Sequence, residues 1–161
     1  MVNEEKKIQE KTTKPKNKKE YIATVGRRRD AVARVRLYAT VKEGLMFGGE
    51  AVTKGMILVN EIPAEKYFSG EVAKVSFMEP FRVTNTIGRF AVTVKVSGGG
   101  KAGQLGAFIH GASRALSVFD TEKFRKILKK KGFLTRDSRT RERRKVGTGG
   151  KARRKKQSPK R

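Results

Sequence analysis

Cysteine is absent from this chain of 161 residues, and histidine occurs once, at position 110. Without thiolates there is no disulfide and no thiolate metal site, and a single imidazole cannot by itself build a zinc site. Long apolar runs are also missing. Nothing in the sequence approaches the ~20 residues needed to span a bilayer. The N-terminus, M-V-N-E-E-K-K-I-Q-E, lacks the apolar core of a signal peptide, and its acidic residues argue against a transit peptide. A soluble, cytoplasmic protein with no membrane partner is expected. Carboxylates are scarce as well: 15 Asp and Glu stand against 40 Lys and Arg, for a net charge of +25.

That charge is uneven. Residues 1–20 carry +3, residues 21–120 carry +6 and residues 121–161 carry +16. A mildly charged body with a basic end points to a folded anchor and an arm that enters nucleic acid. From Thr135 the chain reads T-R-D-S-R-T-R-E-R-R-K-V-G-T-G-G-K-A-R-R-K-K-Q-S-P-K-R, with Val146 its only large aliphatic residue and no aromatic. Such a segment cannot offset the entropy of ordering itself, roughly 1–2 kcal/mol per residue for the backbone. Its last 26 residues hold 13 Lys and Arg against Asp137 and Glu142. Fully extended they reach about 85–90 Å, farther than the width of a small domain. Three regions are therefore expected: a disordered Lys/Glu-rich leader over 1–20, a globular domain over 21–134 and an extended basic tail over 135–161.

Within the domain, Tyr21–Val25 reads as a strand. Gly26 and three arginines, Arg27, Arg28 and Arg29, follow it. Ala31–Tyr38 alternates Ala33, Val35 and Leu37 against Arg34, Arg36 and Tyr38, a core face and a basic face. Lys42–Lys54 looks like a loop or an irregular hairpin excursion. Ile57–Val59 is a short buried strand, and Pro63 suits the first turn of a short helix through Phe68. Glu71–Met78 suggests a second short helix, ended near Pro80. Phe90–Val96 is the clearest strand. The spacing predicts a helix over 103–119 with Leu105, Phe108, Ile109, Ala112, Leu116 and Phe119 on one face and His110, Arg114 and Ser117 opposite. Asp120 or Thr121 caps a last helix with Phe124, Ile127 and Leu128 as its stripe and Gly132 just past its end.

Gly98–Gly103, G-G-G-K-A-G, follows a strand and opens a helix, which satisfies G-x-G-x-x-G. A dinucleotide fold also needs a second parallel strand ending in an acidic residue, and here another helix and the tail follow instead. Two uses of the loop remain open. Glycines and free N–H groups at a helix start admit a phosphate, with Lys101 and Gln104 as added donors, or the glycines simply make the turn. His110 has no nucleophile or metal cluster to work with and is read as a surface or hydrogen-bonding residue. No cofactor, no catalytic residue and no small-molecule substrate are expected. A DNA-compacting basic protein would explain the charge but not the particular domain.

Several segments together resemble the bacterial-type small-subunit ribosomal protein nine family. They are G-R-R-R-D-A-V-A-R-V-R-L from Gly26, V-N-E at Val59–Glu61, Y-F at Tyr67–Phe68 and E-P-F at Glu79–Phe81. G-G-G-K-A-G-Q-L-G-A-F-I-H-G-A-S-R-A-L follows from Gly98, then L-T-R-D-S-R-T-R-E-R-R-K-V-G from Leu134 and the terminal A-R-R-K-K-Q-S-P-K-R. The resemblance implies a small two-layer α+β domain, with a mixed four-stranded sheet, packed helices and a left-handed crossover (ribosomal protein S-five domain-two-like), plus the basic tail. It implies a structural, non-enzymatic role in the head of the small subunit. The implied partners are small-subunit rRNA, neighbouring head proteins and peptidyl-site tRNA. The implied rRNA-binding residues are Arg27, Arg28, Arg29, Lys101, Gln104 and Arg114 in the domain. Those in the tail are Arg136, Arg139, Arg143, Arg144, Lys145, Lys151, Arg153, Arg154, Lys155 and Lys156. Lys160 and Arg161 at the tip would meet tRNA. The chain departs from the family pattern at Glu61, where glycine is usual, in the longer segment 42–56, and at Pro159 before the terminal pair.

Overall fold

The computed structural model describes residues 21–41, 44–144 and 146. The leader over 1–20 and most of the tail beyond Arg144 lie outside these residues. Strands β1 (Ile22–Arg28) and β2 (Ala31–Tyr38) form an antiparallel hairpin whose turn places Arg29 at φ 52°. β1 therefore runs through Gly26 and two of the three arginines, three residues beyond the expected strand. Two short strands, β3 (Met46–Phe47) and β4 (Glu50–Ala51), make a separate hairpin within the excursion. β5 (Ile57–Val59) and β6 (Ile62–Pro63) follow, and then α1 (Ala64–Tyr67), α2 (Glu71–Val83), β7 (Ala91–Ser97), α3 (Lys101–Phe119) and α4 (Thr121–Lys130).

The main sheet has the order β1-β2-β7-β5-β6. β7 pairs antiparallel with β2 and parallel with β5, so the sheet is mixed and β7 is central. The α+β class holds, with five strands in place of four. The fifth strand, β6, exists because Asn60 and Glu61 take left-handed φ values of 47° and 69° and fold the chain straight back on β5. A left-handed residue costs roughly 1–2 kcal/mol when it is not glycine, least for asparagine. Asn60 offsets this by bridging to β7. Its Oδ1 accepts from the Val96 N–H at 2.8 Å and its Nδ2 donates to the Val96 carbonyl at 3.0 Å.

One face of the sheet is covered by α2, α3 and α4. Val35, Leu37, Val59, Val92 and Val94 meet Phe77, Phe108, Leu116 and Leu128, all essentially inaccessible to solvent. Each such side chain contributes about 1.5–3 kcal/mol on burial. α2 does not stop before Pro80 but continues to Val83. A proline inside a helix costs about 3 kcal/mol. Here Phe77, Pro80 and Phe81 are all buried in the core, and that burial outweighs the lost hydrogen bond. α3 begins two residues earlier than expected, and its buried face is broader. Ser117, expected on the polar side, is buried, while Val118 is exposed. Asp120 caps α4 through the Lys123 N–H, and Gly132 at φ 77° closes a C-terminal motif in which Phe133 N–H reaches the Leu128 carbonyl. Ile127, expected in the buried stripe, is exposed because only Phe124 and Leu128 face the core.

The other face of the sheet is half covered. Tyr38, Leu58, Ala91 and Val52 form a second cluster joined by Tyr21, Leu45, Phe47 and Met56. Tyr38 is thus buried under the excursion rather than ending a basic face, and the same cover explains why Ala91 and Thr93 are buried along with Val92 and Val94.

Candidate nucleic-acid interface

The geometry of the site begins at a glycine. A Cβ on Gly26 would stand 1.9 Å from the Ala107 carbonyl oxygen and 2.4 Å from the Gly111 nitrogen, so α3 crosses β1 backbone to backbone. Thr24 Oγ1 donates to the Gly111 carbonyl at 2.8 Å along the same seam. This approach brings the polar side of α3 over the outer edge of β1. His110 Nδ1 accepts from the Arg27 N–H at 3.4 Å, and Arg114 donates to the Val25 carbonyl. Backbone groups on the free edge of the sheet are therefore satisfied by two side chains one helical turn apart.

Arg28 lies on the α3 side of β1, over Gly106, where a Cβ would stand 2.3 Å from the arginine Cδ. Its guanidinium reaches Asp137 at 3.4 Å. Asp137 also accepts from the Arg139 N–H at 3.1 Å and takes the Arg139 guanidinium through Nε at 3.0 Å and Nη2 at 2.9 Å. The chain leaving α4 is thereby bent and held against β1. The Arg139 guanidinium, with Arg28 beyond it, holds the Asp137 carboxyl far below the usual carboxylate range, so it is ionised at any physiological pH. A cleft of about 240 Å³ opens here, walled by Arg27, Arg28, His110, Phe133, Thr135 and Asp137.

His110 joins three elements. Besides Arg27, its ring faces the Leu134 backbone, which favours the protonated form. Burial lowers its pKa below the ordinary 6.5, Arg114 and Arg136 lower it further, and the Leu134 contact opposes them. The folded state thus prefers the neutral ring. Its contribution to stability is fully present above about pH 6.5 and is lost as the pH falls from there toward the depressed folded value. His110 is the single histidine, and histidine is the side chain whose ordinary pKa lies in this window. Urea melts at pH 7.5 and 5.5 should show a loss of stability at the lower pH for the parent that His110→Gln lacks. Equal losses in both proteins would contradict this account of the ring.

The residues singled out from the sequence fall into four groups. Arg28, Arg114, Arg136 and Arg139 are brought together where the chain leaves α4, and Arg27 meets them through its backbone N–H on His110. Arg29 is exposed in the β1–β2 turn, and Arg143 and Arg144 are exposed beyond it in a stretch without regular structure. Lys145, Lys151, Arg153, Arg154, Lys155, Lys156, Lys160 and Arg161 lie outside the described residues.

Lys101 and Gln104 are engaged within the protein. Lys101 Nζ sits 3.4 Å from the centre of the Tyr67 ring and donates to the Tyr67 carbonyl. Gln104 accepts from the Tyr67 hydroxyl at 2.7 Å and donates to the Gly98 carbonyl at 3.1 Å. Gly98, at φ 73°, lies so close to the β1–β2 turn that a Cβ would stand 2.4 Å from the Asp30 carbonyl oxygen. The glycines therefore make the turn and dock it on the hairpin.

Asp137 was not singled out as a functional residue. Its D-x-R spacing inside T-R-D-S-R carries the signal, because an aspartate readily accepts the N–H two residues on. Among the described residues, no group of three or more His, Cys, Asp or Glu could hold a metal, and no helix is long and apolar enough to cross a membrane.

The family described as Ribosomal protein S9/S16 matches residues 26–161. A relative named small ribosomal subunit protein uS9, from Maridesulfovibrio salexigens, is 44% identical over 132 residues, covering 82% of this chain and 91% of its own. Its namesake from Syntrophobacter fumaroxidans is 44% identical over 122 residues, covering 76% and 83%. That from Anaeromyxobacter dehalogenans is 42% identical over 127 residues, covering 79% and 87%. The match takes in the β1 arginines, the glycine loop, α3 and the whole basic end, and on it the chain belongs to the ribosomal protein S9/S16 family.

Proposed function

We propose that the chain is a structural, non-enzymatic protein of the small ribosomal subunit that binds rRNA. In this reading residues 21–134 form the anchor and residues 135–161 form an arm laid along RNA toward the peptidyl-site tRNA, with neighbouring head proteins around the anchor. The observation that carries it is the convergence of Arg28, Arg114, Arg136 and Arg139 at the point where the basic arm departs. Three parts of the chain, β1, α3 and the exit of α4, build one cationic surface there. Arginine suits it, because the planar fork grips phosphate in two places and stacks on bases. Such contacts position the protein on a folded RNA without reading its sequence.

In this reading Lys160 and Arg161 offer their charges to the tRNA backbone. Small subunits carrying the chain without these two residues should assemble normally and bind peptidyl-site tRNA several-fold more weakly in filter assays. Unchanged tRNA affinity would remove the tip from the proposal. If the chain instead sediments with the nucleoid or stays in a soluble pool, the ribosomal reading itself fails.

A further inference from the structure

The open half of the second sheet face carries three cations that, among the described residues, have no carboxylate partner. β2 and β7 place Arg34 directly opposite Lys95, and Arg36 follows two residues along the same face, beside Ala23 and Thr93. All three cations are exposed. Among the described residues, no carboxylate forms an ion pair with any of them. Like charges directly opposed across two strands destabilise a sheet. Strand neighbours are only about 4.8 Å apart, so the repulsion is not relieved by distance. Folding alone gives no reason to put arginine opposite lysine here.

The long side chains are also held down. Arg36 lies over the Tyr21 ring at 5.1 Å and Lys95 over the Phe47 ring at 5.9 Å. Their charges are spread along the sheet surface instead of waving in solvent. The two rings are thereby occupied, so they do not offer a free platform for a base.

We propose that Arg34, Arg36 and Lys95 form a second nucleic-acid contact, on the sheet face opposite α3, that takes the sugar–phosphate backbone of folded RNA. It rests on the RNA-binding reading and extends it. The protein would be gripped from two sides, by the arm-exit surface on one and the bare sheet face on the other. Closely spaced phosphates neutralise the opposed pair, and each contact releases counterions. The engaged rings make this a backbone contact that recognises shape.

The test uses the full chain and a transcript of the small-subunit head rRNA. Arg34→Gln combined with Lys95→Gln should melt at the same temperature as the parent or higher, because the repulsion is gone. Its affinity for the transcript should fall about tenfold, with a salt dependence shallower by roughly 1.5 in log–log slope for two lost phosphate contacts. An affinity within twofold of the parent would overturn the proposal. So would normal RNA affinity with poor incorporation into subunits, which would mark the face as a site for an acidic protein surface.

If the double variant melts lower, the exchange Arg34→Lys with Lys95→Arg, which keeps both charges, decides. Affinity restored by the exchange supports the contact, and affinity as low as in the neutral variant overturns it. Deleting residues 146–161 in the same assay separates the two readings. If that deletion also leaves affinity untouched, RNA binding as a whole is refuted and not just this face.

Discussion

Gly26→Ala is expected to remove roughly 3–5 kcal/mol of stability, a large share of the about 5–15 kcal/mol typical of a folded domain. The added methyl would meet the Ala107 carbonyl oxygen and the Gly111 backbone. Overpacking against a side chain is relieved by a rotamer change. Overpacking against backbone is not, and α3 would have to lift off β1 along the seam that carries the Thr24, His110 and Arg114 hydrogen bonds. The arm-exit surface depends on that seam, so RNA binding should fail together with folding. Gly44→Ala is the control. Gly44 also has an unusual backbone, φ 83°, but nothing lies within 4 Å of its added Cβ, so only conformational strain of about 1 kcal/mol applies. Urea unfolding of the two variants should differ by several-fold in lost free energy. Comparable losses would mean that the close crossing of α3 over β1 is not what the glycine is for.

Deleting Val146–Arg161 should do the reverse. The deletion removes Lys151, Arg153, Arg154, Lys155, Lys156, Lys160 and Arg161 and no carboxylate. Val146, the only large aliphatic residue it removes, is 88% exposed. The melting temperature should stay within a degree or two of the parent. Binding to head rRNA should weaken a hundredfold or more, about 2.7 kcal/mol. If all seven cations sit on phosphates, the dependence of log affinity on log salt becomes shallower by about 5. A large fall in melting temperature would place the segment in the fold. An unchanged salt slope would show that those charges do not lie on RNA.

Much of this was legible from residue patterns alone. Alternation in Ala31–Tyr38 located the core side of β2, and the period of α3 found Phe108, Ala112 and Leu116. The capping role of Asp120 and the terminating role of Gly132 were local signals, and they held because capping chemistry is local. What was missed needed tertiary information. Pro80 reads as a stop, yet α2 passes through it because Phe77, Pro80 and Phe81 are buried together. Tyr38 reads as part of a basic face, yet the β3–β4 excursion folds over it. Gln104 and Lys101 read as donors for a phosphate, yet Tyr67, more than thirty residues earlier, engages both. The arginines that share the arm exit come from positions 28 to 139, and no spacing rule joins them. Only the crossing of α3 over β1, set by Gly26, does so.

The central claim is that one folded face and one basic arm are clamped to the same RNA. A map of the small subunit containing this chain tests it most directly. The account predicts rRNA backbone within hydrogen-bonding distance of Arg27, Arg28 and Arg114, with residues 145–161 enclosed by RNA along a path toward the tRNA cleft. A map in which that face looks onto solvent, with the basic end lying free of RNA, would contradict it.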